Sequence, residues 1–158
     1  MSAFYADVVR DSKLSGFGSV PIELMDSGME GVVGEPVTLS YSIDTKGLQG
    51  LQERITPKAG DTIPKFLYAV KYDESDWLVS GDLRGGITLS DSDRFALTLV
   101  GIPIRPGSIK RFPSISLMCE ITKGDLLPLL VDMRHPEKFH SRPFGGSISF
   151  ANPTAQRK

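Results

Sequence analysis

The chain is poor in the residues that most often do chemistry. Its 158 residues include one cysteine, Cys119, and two histidines, His135 and His140. A single thiol cannot close an intramolecular disulfide, so a disulfide-stapled scaffold is excluded and a reducing compartment fits. One cysteine and two histidines also fall short of the four ligands of a structural zinc site. Long apolar runs are missing, and no segment approaches the ~20 residues that a membrane-spanning helix needs. The first residues, MSAFYADVVRDSKL, lack the basic start and apolar stretch of a secretory signal. The only asparagine, Asn152, precedes a proline that blocks the glycosylation sequon. These absences lead to the expectation of a cytoplasmic chain without a transmembrane segment. An excess of one charge sign is missing too. The net charge of −1 gives no long-range attraction to nucleic acid or anionic lipid.

What is present is the material of one globular domain. The length suits a single core, and 40% hydrophobic with 23% charged residues is a folded composition, not a disordered one. Sixteen glycines and eleven prolines are spread along the chain. That spacing breaks long helices and suits short strands joined by turns.

Period-two alternation marks the strands. In residues 36–43, Val37, Leu39, Tyr41 and Ile43 alternate with Thr38, Ser40 and Ser42. Residues 20–25 form a shorter strand before it. Residues 66–72 carry Phe66, Tyr68, Val70 and Tyr72 on one face, and residues 77–79 restart the pattern after an acidic bend at 73–76. Gly81 and the pair Gly85-Gly86 mark turns, followed by a short strand at 87–89. Residues 94–104 are apolar on both faces, which predicts a central strand. Residues 112–121 follow, and the span 94–121 reads as a β-hairpin. Residues 44–65 read as a long polar loop with one helical turn near 48–54, either an insertion or a site of contact. After Gly124 the signal weakens: 126–131 is interrupted by Pro128, 135–143 is irregular, and 146–150 is a last short strand. The expected fold is all-β, an immunoglobulin-like antiparallel β-sandwich of about seven to nine short strands. The expected layout is a lead-in over residues 1–19, the sandwich over 20–150, and a frayed tail over 151–158. Tyr41, Tyr68, Trp77, Leu97 and Leu117 are expected to be sealed between the layers.

No residue set converges on catalysis. Neither histidine adjoins a nucleophile elbow, and Cys119 sits on the apolar face of a strand, where a thiol packs as a small hydrophobe. The glycines at 81, 85 and 86 lack the lysine and the following helix of a phosphate loop. No enzyme activity and no cofactor are expected. Two charged features remain. Arg105, Lys110 and Arg111 cluster around the turn of the expected hairpin and are the candidate interaction residues. Asp73, Glu74 and Asp76, with Asp91 and Asp93, form two acidic loops that either fill turns or hold calcium. The alternative function is therefore a calcium- or lipid-headgroup-binding β-sandwich module.

Three segments together resemble a known family. They are Gly34-Glu35-Pro36-Val37 leading into the alternating strand, then Trp77-Leu78-Val79-Ser80-Gly81 with Arg84-Gly85-Gly86. The third is Phe95-x-Leu97-x-Leu99 with Ile102-Pro103, Gly107 and Pro113-x-Ile115-x-Leu117. In order they look like the C-terminal β-sandwich of the large subunit special to the TRAPP II vesicle-tethering complex, subunit 10 in mammalian nomenclature. The resemblance covers about residues 34–121 and carries over no catalytic residue. It implies a non-enzymatic scaffold in Golgi and ER–Golgi trafficking, with other TRAPP subunits as partners. It also implies indirect support of Rab GTPase activation, and peripheral association with cis or trans Golgi membrane through the complex.

Overall fold

The computed structural model of the protein describes residues 17–25, 29–54, 63–90 and 92–143. The alternation in the sequence becomes strands β1 (Val20–Leu24), β2 (Glu30–Val32) and β3 (Val37–Asp44), helix α1 (Lys46–Arg54), then β4 (Lys65–Lys71), β5 (Trp77–Ser80), β6 (Arg84–Ile87), β7 (Arg94–Pro103), β8 (Gly107–Ile109), β9 (Ser114–Glu120), β10 (Leu126–Leu129), β11 (Val131–Arg134) and β12 (Phe139–Arg142). A five-stranded sheet runs β11-β1-β3-β7-β5, a four-stranded sheet runs β10-β9-β4-β6, and a small sheet runs β2-β12-β8.

The all-β sandwich expected from the sequence is the fold. The five residues expected between the layers are all buried: Tyr41, Tyr68, Trp77, Leu97 and Leu117. They join one continuous core to which β1, β3, β5 and β7 contribute from one sheet and β4, β9 and β10 from the other. Removing this apolar surface from water, at roughly 25 cal/mol per Å², is the main stabilising term.

Three expectations about strand number and pairing are corrected. The described residues hold twelve strands, not seven to nine. The extra ones, β2, β8, β11 and β12, are three or four residues long, too short for alternation to register. The sandwich is not wholly antiparallel either, since β1 runs parallel to β11 and β12 parallel to β2. Finally, residues 94–121 are not a hairpin. β7 pairs with β3 and β5, whereas β9 pairs with β4 and β10 in the other sheet. The chain crosses between layers through residues 104–113, and β8 forms on the way.

β7 is flanked on both sides, as expected, but not because both faces are buried. Leu97 and Leu99 point into the core, while Ala96, Thr98 and Val100 face solvent. Gly85 and Gly86 lie inside β6, not in a turn. A Cβ at Gly85 would stand 2.9 Å from the Tyr68 ring, so only glycine leaves the ring its place. Pro128 interrupts the signal at 126–131 yet sits in β10, an edge strand, where a missing N–H costs no ladder bond. The expected helical turn in the 44–65 loop is a nine-residue helix whose Leu48 and Leu51 are buried in the core. The Asp44 carboxylate accepts a hydrogen bond from the Lys46 N–H at its start (3.0 Å). The expected strand at 146–150, the tail, and most of the lead-in lie outside the described residues.

The Tyr41 hydroxyl donates a buried 2.6 Å hydrogen bond to the Pro113 carbonyl across the sandwich. Burial pushes its pKa well above the ordinary tyrosine value. A group whose folded pKa is raised contributes stability that is complete below its unfolded pKa, about 10, and is lost as pH rises through the folded value. Stability is therefore expected to fall above about pH 10, and Tyr41→Phe is expected to flatten that fall. The same variant leaves a buried carbonyl without its donor and is expected to cost about 1–3 kcal/mol at neutral pH. Urea titrations of both proteins at neutral and alkaline pH read both effects.

Candidate interaction surface

At one end of the sandwich the chain makes two turns that the sequence presents as unrelated. The first is the acidic bend between β4 and β5. The Asp73 carboxylate accepts from the Ser75 N–H (2.8 Å), and its backbone carbonyl accepts from the N–H groups of Asp76 and Trp77 (both 3.0 Å). This Asx turn is the local reason an aspartate stands there. The second is the basic crossover between β7 and β9. It turns at Gly107, whose φ of 103° is the left-handed region that glycine enters without strain.

The fold brings the two together. The Arg105 guanidinium pairs with the Asp76 carboxylate at 2.5 Å and donates to the Ser108 carbonyl at 3.2 Å. The Asp76 side chain is 9% exposed, so the pair is charge-assisted in a partly dry setting. The Ile104 N–H donates to the Asp76 carbonyl (3.0 Å), tying the same two turns through the backbone. Arg111 reaches Asp73 more loosely, at 3.4 Å with 81% of its side chain exposed. Hydrogen bonds from Ser75, and then the Arg111 charge, hold the Asp73 carboxyl below the usual carboxylate range.

The segment from Lys110 to Pro113 is pinned from beneath. The Trp77 indole N–H donates to the Arg111 carbonyl (2.8 Å), and Tyr41 holds Pro113. Phe112 packs on Trp77 with centroids 6.1 Å apart, while Phe139 from β12 meets the indole edge-on at 5.1 Å. Core residues thus fix the backbone and turn Lys110 and Arg111 outward. They border a cleft of about 550 Å³ whose walls include Tyr72, Phe112, Pro113 and Met133. His135 lies against Phe112 at its rim (5.1 Å between rings).

Of the three candidate residues, Arg105 is committed to Asp76 and to the turn, whereas Lys110 and Arg111 present charge to solvent. The acidic bend is not an open cage of oxygens, since arginines engage Asp76 and Asp73. Asp91, half of the second acidic loop, lies outside the described residues. No group of three or more metal-ligating side chains is found among the described residues. Two further arginines are paired as well, Arg134 with Asp132 (3.2 Å) and Arg142 with Glu30 (3.0 Å). The partners Asp76 and Arg105 are 29 positions apart, and Asp73 and Arg111 are 38 apart. Only opposite charge on two turns hinted at their meeting.

The family model described as the TRAPPC10 C-terminal domain matches residues 21–136. The match begins at the second residue of β1, runs two residues past β11, and overlaps every strand of both large sheets. No curated protein matches the chain.

Proposed function

The chain belongs to the TRAPPC10 C-terminal domain family, which gives it a TRAPP-complex-related role, and from that premise we propose that it is a non-enzymatic protein–protein interaction domain of a TRAPP-type vesicle-tethering assembly. Its partners are other TRAPP subunits. Through them it supports Rab GTPase activation on the cytoplasmic face of the Golgi. The observation that carries the reading is the extent of the match. The shared unit is the whole two-sheet body, and a rigid sandwich with outward-facing loops is suited to positioning partners.

Within that body, the cleft beside Lys110 and Arg111 is the contact we favour. Its apolar wall can bury a partner side chain, while the two exposed cations select acidic neighbours. Tagged protein recovered from native extract is expected to bring TRAPP subunits at stoichiometric levels. Lys110→Glu with Arg111→Glu is expected to reduce recovery roughly tenfold, as the loss of two rim contacts of about 0.7 kcal/mol each implies. Recovery of no TRAPP subunit by the unmodified protein would sink the reading.

A further inference from the structure

A second surface lies on the outer face of the sheet β10-β9-β4-β6. Strand alternation sends Leu67 and Ala69 of β4, Met118 of β9 and Leu126 of β10 away from the core. On a sheet face open to water these positions are ordinarily polar. Here they are not, and pairing groups them: Leu67 stands opposite both Met118 and Gly86, and Met118 opposite Pro128. The result is a recess of about 510 Å³ floored by Leu67, Ala69, Met118 and Leu126.

Two further features define it. Lys71 and Arg84 line the recess, with no carboxylate among its lining residues, and neither makes an ion pair with a described residue. The recess is also open because residue 86 lacks a side chain. A Cβ there would meet nothing nearer than 4.0 Å, so the space above Leu67 is vacant by residue choice and not by steric need. Gly85 next to it is the opposite case, held by the Tyr68 ring.

We propose that this recess docks an acidic segment of a partner protein, which inserts a bulky apolar side chain over Leu67 and Met118 and sets a carboxylate against Lys71 and Arg84. The apolar floor next to cations that no described carboxylate pairs is complementary to that chemistry and repels a basic segment. A protein fits better than a membrane surface. Leu67, Ala69 and Met118 are half-buried within the floor, where a side chain can enter and a flat bilayer cannot.

The inference rests on the reading of the chain as an interaction domain, and its test separates the two. A phage library of random dodecapeptides is selected on the purified protein, and recovered peptides are titrated by fluorescence anisotropy. They are expected to pair aspartate or glutamate with leucine, phenylalanine or tryptophan. Gly86→Val, which fills the recess on an edge strand, is expected to weaken them about tenfold or more with melting temperature unchanged. Arg84→Glu, at an exposed position that leaves the core untouched and lies away from the cleft beside Lys110, is expected to weaken them as well. Peptides without acidic enrichment, or peptides that bind Gly86→Val and the charge-reversed protein as well as the original, would overturn the inference. So would a selection that yields no binder while phosphatidylserine vesicles bind the original protein and not Gly86→Val, since the surface would then be a membrane contact. Recovery of TRAPP subunits by a protein that selects no recess peptide would remove this inference alone.

Discussion

Trp77→Ala is expected to lower the unfolding free energy by about 3–5 kcal/mol, the range for deleting a large buried aromatic side chain. The indole is 1% exposed and lies against Phe112 and Phe139. Its removal leaves a cavity where the large sheets meet the small one, together with an Arg111 carbonyl that has lost its donor. Domains of this size are stable by only about 5–15 kcal/mol, so the variant forfeits a large share of the total. In a urea titration the midpoint is expected to fall with the slope unchanged. A loss below about 1 kcal/mol would mean that the indole is not enclosed as described. The same residue links stability to the surface, because its N–H fixes the backbone between Lys110 and Pro113. Trp77→Phe is therefore expected to loosen that loop even where most of the packing is kept.

Gly101→Val is the second large effect, and it tests the opposite failure. Gly101 sits mid-strand in β7, opposite Val37 of β3 and Val79 of β5. A Cβ there would lie 2.9 Å from Leu39 Cδ1 and 3.1 Å from the Trp77 ring. Leu39 is itself fully buried, so nothing around the new side chain gives way cheaply. Overpacking of this kind costs about 1–3 kcal/mol, and a β-branched residue against a rigid indole belongs at the top of that range. Residues in contact are not additive. In the double variant Trp77→Ala, Gly101→Val, the valine occupies part of the space the indole vacated. The combined loss is expected to be smaller than the sum of the two single losses. Strict additivity would argue that positions 77 and 101 do not touch.

The parts of the fold written in local alternation were legible from the sequence, and the parts written in pairing were not. Tyr41, Tyr68, Trp77, Leu97 and Leu117 repeat at period two within their own strands, so their burial follows from residues a few positions away. Nothing local says which strand lies beside which. β7 and β9 are separated only by a turn-rich segment with the three-residue β8, and both alternate, which imitates a hairpin, yet they belong to different layers. The short β2, β8, β11 and β12 owe their existence to neighbours supplied by distant segments.

The candidate site divides along the same line. Lys110 and Arg111 are visible as a basic cluster because they adjoin in sequence, and Arg105 stands at the other end of the same turn. The ion pair that commits Arg105 to Asp76 appears only when two crossovers of the sandwich meet. The acidic bend then ceases to be an independent feature and becomes the counter-charge of the basic one. The recess behind Gly86 was hidden for a related reason. A glycine pair after a turn-forming Gly81 reads as more turn; the Tyr68 ring beneath Gly85 explains that glycine, while Gly86 stands over open space.

The central claim, that this domain meets other TRAPP subunits through the end where Trp77 and Tyr41 anchor the 110–113 loop, is tested most directly by hydrogen–deuterium exchange on the protein alone and within the native assembly. Slower exchange at the amides of residues 72–76 and 110–112 on assembly is the predicted result. An assembly that forms while those amides exchange as fast as in the isolated protein would contradict it.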